Sequence, residues 1–497
     1  MFDTVKAVTD QHPVSAQSSG SEECGSDSSP DFQSRASKKH IKITEINYRR
    51  NTESDFTEKI QELDQAFDYE RDRHHWWSEP ELSLLYGTPL YAEATQSQRQ
   101  ALNHLYWATQ YNQTAATEAN AVLYNQVTAG VFAAMGGYDV LCEELDLETA
   151  QERHHIHAFH NIGYRIKKAL LGQSGFNTSI QGKSVRGGAG QPRSPKSNQK
   201  NLTKNSIKAT GQASRSPVPF SRKSLSQSTF QNSAFRFLTH QLFLKEQTQF
   251  YSGYLRTLDQ KGEAIPAQTT GLLGQIAPRS LLQLFTLTCG SSPFISCVFF
   301  VTRFMANMLL KNYEYRYVQY YRELEKKGEF IPAPTAVSFN HLMDEAFHTT
   351  TSQLIAQDLY KDFAKPSAYE KLVANLTIYR AQQVGLRSLS GGLPATFRND
   401  ADFLLPLYRL LQSPVFEMSS TDSLHWLRQC VCQEHDGFHQ NLAYHQRLLS
   451  ELRRHFEPMD YLWPVNREVR VMVAGGSIDK AIAANTQAFE QFSKSIA

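Results

Sequence analysis

The sequence predicts an all-α protein, a four-helix bundle built around a dinuclear metal site with additional helices packed outside it. Two observations carry this. Apolar residues recur at helical spacing through most of the chain, while the alternation expected of half-buried strands is weak everywhere. In addition, Glu152-Arg-His-His155 and His341-Leu-Met-Asp-Glu-Ala-Phe-His348 each contain Glu-x-x-His, the second with a histidine one turn earlier. On an α-helix, positions i, i+4 and i+7 fall within about 60° of one another, so His341, Glu345 and His348 project from one face. Two Glu-x-x-His helices, each helped by a lone glutamate on another helix, hold two metal ions in a four-helix bundle.

The elements follow in chain order. Residues 1–45 are rich in Ser, Gln, Asp and Glu, and such a segment buries too little apolar surface to offset its ordering entropy, so a disordered tail is expected. A short amphipathic helix is expected over 55–69. The first long helix runs from Ser97 to about Met135, where Gly136-Gly137 ends it. The second runs from Leu147 to Leu171, stopped by Gly172, and the tight loop between the two makes them antiparallel neighbours. Residues 172–233 hold about ten Lys plus Arg and no acid, and read as a basic low-complexity insert, a solvated linker between bundle helices. The third long helix runs from Ile295 to Lys327. Pro332 and Pro334 are expected to keep the next connection extended, with Ser338 capping a fourth helix from Phe339 to about Phe363. Further helices are expected over 369–384, 402–411, 423–456 and 478–495. The helical domain thus divides into 46–171 and 234–475, with a C-terminal helix in 476–497.

The 497 residues carry a net charge near zero (+2), which favours no charged partner, and neither a nucleic-acid nor a membrane partner is expected. Six cysteines at 24, 142, 289, 297, 430 and 432 form no C-x-x-C pair, which fits a reducing, cytoplasmic setting. The N-terminus lacks the basic and apolar regions of a secretory signal. The most apolar stretch, 281–304, is interrupted by Gly290 and Pro293 and carries Arg303, so it reads as a buried core helix.

The four long helices can supply the metal ligands in order: Glu118 from the first, Glu152 and His155 from the second, Glu314 from the third, and His341, Glu345 and His348 from the fourth. Carboxylates are hard donors able to bridge two cations, and imidazoles hold divalent iron without quenching its redox activity. Glu148, one turn before Glu152, is an alternative ligand. Asp344 reads either as an acceptor for a ligand imidazole or as a surface charge. His154 and His157 point away from the face of Glu152 and His155. His435 and His439, without a carboxylate motif, read as structural or exposed, and His74-His75-Trp76-Trp77 as packing at the bundle's end.

These residues resemble the ferritin-like diiron family of p-aminobenzoate N-oxygenases (AurF-like). The likeness rests on His341-x-x-Asp-Glu-x-x-His348, Glu152-x-x-His155, the lone glutamates and Leu84-Leu-Tyr-Gly-Thr-Pro89, and covers 75–170 and 295–450. His341 matches that family's third histidine. The resemblance implies a monooxygenase with two iron ions (Fe2+/Fe3+, or a manganese–iron pair), using dioxygen and external electrons to oxidise an arylamine nitrogen. It implies Glu118, Glu152, His155, Glu314, His341, Glu345 and His348 as ligands. The expected partners are a small-molecule substrate and an electron donor, with a homodimer allowed. Competing readings are a ferritin-like iron-binding protein without catalysis and a diiron C-hydroxylase or desaturase.

Overall fold

The computed structural model describes residues 39–54, 56–172, 233–234, 237–243, 248–266, 270–271, 274–275, 279–384, 388–394 and 399–496. Most of the expected tail and nearly all of the basic insert lie outside the described residues. The all-α expectation holds among those described. The sole pairing of extended backbone there is Thr270–Gly271 with Gly274–Gln275. The principal helices are α1 (Lys39–Glu53), α2 (Thr57–Ala66), α3 (Gln96–Met135), α4 (Asp139–Leu171), α5 (Arg279–Cys289), α6 (Pro293–Lys327), α7 (Ala333–Gln357), α8 (Ala368–Val384), α9 (Ser420–Cys432), α10 (Asp436–Phe456) and α11 (Ile478–Ile496).

Two antiparallel pairs form the centre of the molecule. α3 packs along α4 and α6 along α7, and the pairs meet through α3 against α6 and α4 against α7. Local chemistry sets these helices' ends. Thr95 and Gln98 form a reciprocal capping box at the start of α3, and Gly136, at φ 72°, ends it. Ser292 caps α6 by accepting from the Ile295 amide, with Pro293 in the first turn. At the other end Gly328 takes the left-handed conformation and its N–H bonds the Glu325 carbonyl at 3.1 Å. The start of α7 is held from a distance: Asp72 Oδ2 accepts from the Ala333 amide at 3.0 Å, and the Thr335 hydroxyl donates to the Trp77 carbonyl at 2.6 Å.

Four expectations change. α7 begins at Ala333 rather than Phe339 and ends at Gln357, because Pro334 sits in the first turn, where its fixed φ suits a helix and its missing N–H costs nothing. α4 begins at Asp139, eight residues before Leu147. The helix expected over 423–456 is two, α9 and α10, broken where Gly437 meets the backbone of Gly87 and Gly391. α1 begins at Lys39, inside the stretch expected to be tail, and packs on α4 and α7.

The main core cluster runs through the bundle and is rich in aromatic rings such as Trp107, Tyr111, Phe132, Phe159 and Phe300, and a small second cluster gathers Leu389, Phe438 and Ala481. The segment 293–311 is apolar and long enough by composition to cross a membrane, but most of it is buried by its neighbours, as in a core helix. Trp77 is fully buried and stacks on His104 with centroids 3.9 Å apart, so of the His-His-Trp-Trp segment Trp77 packs the bundle, whereas His74 and His75 are exposed.

Candidate metal centre

The bundle brings the sequence-predicted donors together. Glu118, His155, His341 and Glu345 form one group whose potential ligand atoms lie within 4.8 Å of one another, and Glu152, Glu345 and His348 form a second. Glu345 belongs to both. The imidazole centroids of His155 and His341 are 4.8 Å apart, and those of His155 and His348 are 6.1 Å apart. All six residues are buried. Glu314 lies on α6, but its side chain is outside the described residues.

Each imidazole is aimed by a partner. His155 Nε2 donates to Asp344 Oδ2 at 3.1 Å, which leaves Nδ1 buried without a hydrogen-bond partner and 4.0 Å from Glu152 Oε2. Asp344 is itself held by the Phe56 amide at 3.3 Å and is fully buried, so it is the imidazole acceptor and not a surface charge. His348 Nε2 lies 2.9 Å from Gln151 Oε1, an oxygen whose amide partner nitrogen is committed to Asn51 Oδ1. Its proton therefore sits on Nε2, and Nδ1 faces Glu345 Oε1 at 2.8 Å. A bare nitrogen lone pair and a carboxylate oxygen this close need a proton or a metal between them. His341 Nε2 lies 2.9 Å from Glu118 Oε1 and 3.6 Å from Glu345 Oε1.

Electrostatics point the same way. Six buried carboxyl groups, Glu118, Glu144, Glu148, Glu152, Asp344 and Glu345, surround the centre. Burial pushes Glu118 well above the usual carboxylate range, and the charges of Glu152 and Glu345 push it further. Burial also pushes Glu345 up, but His348, His341 and Arg303 outweigh it and hold Glu345 low. Burial would lower His348, yet Glu345 and Glu148 raise it well above the ordinary imidazole value. Burial and the Glu148 charge raise Glu144 to about 7. Glu118 Oε2 and Glu152 Oε2 are buried and accept no hydrogen bond. Surplus buried negative charge with unpartnered donor atoms is the condition a bound cation relieves, so the residues fit a metal.

Residues not expected at the centre are Arg303, Glu144, Gln151, Asn47 and Asn51. Arg303 donates to Glu148 Oε2 at 2.6 Å and to Glu152 Oε1 at 2.7 Å, which makes Glu148 an ion-pair partner and places it outside both donor groups. A signal existed: Glu144, Glu148 and Glu152 recur at i, i+4 and i+8, and an arginine stands in an otherwise apolar helix. His154 bonds Gln61 at the exposed surface, His439 pairs with Glu434 there, and His435 Nε2 donates to the Cys430 carbonyl. A cleft of about 490 Å³ lined by Tyr379, Val465, Arg470 and Lys480 shares no residue with the centre.

The fold and the site thus define an all-helical protein whose interior holds a histidine–carboxylate centre able to accept cations. The CylC-like acyl halogenase family model matches residues 39–493, and the chain belongs to that family of enzymes. No curated protein and no solved structure matches it significantly. The family match corrects the resemblance to the p-aminobenzoate N-oxygenases, and with it the expectation of nitrogen oxidation. Glu-x-x-His and His-x-x-x-Glu-x-x-His specify how a helix presents ligands, and ligand presentation does not specify the substrate oxidised.

Proposed function

We propose that the protein is a metal-dependent halogenase that places a halogen on an acyl substrate at the expense of dioxygen. In this reading the four long helices are a ferritin-like bundle. Glu118, His155, His341 and Glu345 hold one ion, and Glu152, Glu345 and His348 hold the other, with Glu314 as the remaining expected ligand. The observation that carries it is the meeting of two buried donor groups at Glu345 in a chain of this family. Imidazole and carboxylate without thiolate suit iron or manganese.

When bound, the metal pair supplies redox activation of dioxygen, which no side chain offers. The chain supplies the rest. Asp344 and Gln151 fix the tautomers of His155 and His348, so that Nδ1 of each faces inward. Phe159 packs edge-on against His341 at 4.8 Å and stacks on Tyr111 at 4.5 Å, which closes that side of the centre with aromatic surface. Replacing an acyl hydrogen by halide releases two electrons, while dioxygen takes four to become water, so an external reductant supplies the other two.

The test is anaerobic loading with Fe(II), then addition of air, a reductant, chloride or bromide, and a panel of fatty acids and acyl thioesters. The expected result is an acyl product with the halogen isotope pattern by mass spectrometry, dependent on iron and halide and lost in Glu345→Ala. Halogenation by metal-free protein, or hydroxylation without halogen incorporation at saturating halide, would overturn the reading.

A further inference from the structure

Among the described residues, Arg303 is the only lysine or arginine that is buried. Its Nη1 donates to Glu148 Oε2 at 2.6 Å and Asn125 Oδ1 at 3.0 Å, and its Nη2 to Glu152 Oε1 at 2.7 Å. The guanidinium therefore bridges two carboxylates one turn apart on α4, and one of them belongs to the three-donor group. Among the described residues the two groups are unequal, four donors against three, with Glu345 common to both. Glu152 Oε1 is also only 3.4 Å from His348 Nδ1, so the guanidinium grips the oxygen that faces the three-donor group. A carboxylate oxygen engaged in a charge-assisted hydrogen bond gives less to a metal, and a fixed positive charge beside the position opposes a second one.

We propose that Arg303 is a positioning residue that makes the two cation positions inequivalent. It clamps Glu152 by Oε1, leaves Oε2 free to take a cation, and weakens the three-donor position so that it fills second. This rests on reading the centre as a two-cation site. A guanidinium that merely neutralised two acids would alter stability and leave the ratio of the two affinities unchanged.

The test is an anaerobic titration of cation-free, full-length protein with Co(II), followed by calorimetry and by the Co(II) visible bands. Wild type should bind in two steps, the second weaker by about tenfold or more. Arg303→Met should tighten the second step by about tenfold and leave the first nearly unchanged. Arg303→Met/Glu148→Gln removes the unpaired acid as well, and it carries the test if the single variant does not fold. It should narrow the gap in the same direction. An unchanged gap in a folded variant, or loss of the second step, overturns the inference. Wild-type protein that binds no Co(II) overturns the two-cation reading itself, whereas two equal steps in wild type and variant overturn the role of Arg303 alone.

Discussion

Asp344→Asn is the sharpest test of how the centre is aimed. The change is nearly isosteric, so the Phe56 amide keeps an acceptor and the packing is preserved, but the His155 imidazole loses its anionic partner. Loss of such an outer contact costs roughly 10- to 100-fold in metal affinity, about 1.4 to 2.7 kcal/mol. At a cation concentration about 100 times the wild-type dissociation constant, binding stabilises the folded chain by about 2.7 kcal/mol. A tenfold loss leaves about 1.4 kcal/mol of that and a hundredfold loss about 0.4 kcal/mol. The assay is chemical denaturation of cation-free and Co(II)-loaded protein, wild type beside variant, at one fixed Co(II) concentration. If both gain the same stability from the cation, His155 is not a ligand aimed by Asp344.

Further outcomes follow from the same geometry. Glu345→Ala should empty both positions while Glu118→Ala and Glu152→Ala each spare one, which metal analysis of the three purified variants would check; equal loss in all three contradicts the shared role of Glu345. Burial lowers His104 to about 4 and His455 to about 3, so the unfolded chain binds protons that the folded chain refuses. Stability is then present above the ordinary imidazole value and is lost as pH falls towards 4, by up to about 1.4 kcal/mol per pH unit for each residue. Urea denaturation at pH 7 and pH 5 reads this directly, and equal midpoints would refute it. Gly437→Ala would drive a methyl group into the Gly391 carbonyl and to 2.9 Å from the Tyr86 carbonyl, so a loss of about 1 to 3 kcal/mol is expected in the same assay, and an unaltered midpoint would show that these loops can part.

The legible parts of this chain were those whose signals are local. The ends of α3 and α6 are written in Gly136 and Gly328, and both were expected where they occur. The donor helix faces were legible because a period of 3.6 residues alone decides which side chains share a face. The start of α7 was not, since Pro334 suits an extended link and a first helical turn equally, and the deciding group is Asp72, far away in sequence. The break between α9 and α10 depends on backbone from three separate loops meeting at Gly437. Arg303 was read only as a charge carried by an apolar stretch, because its partners Glu148 and Glu152 lie about 150 residues earlier on another helix. The reaction was misjudged for a different reason: the inward-facing donors were recognised, but they say little about the substrate.

The ties from the N-terminal region to α7 impose an order on folding. Asn47 bonds the Phe347 carbonyl and Thr351, and Phe56 bonds Asp344, so the first described helices close onto a helix translated some three hundred residues later. Until α6 leaves the ribosome, the α3–α4 hairpin carries Glu148 and Glu152 with no guanidinium to meet them, and until α7 follows, Asp72 has no amide to accept from. The acids of α4 therefore stay unpaired while the segment between α4 and Arg303 is made, and the donor set is complete only once α7 has docked.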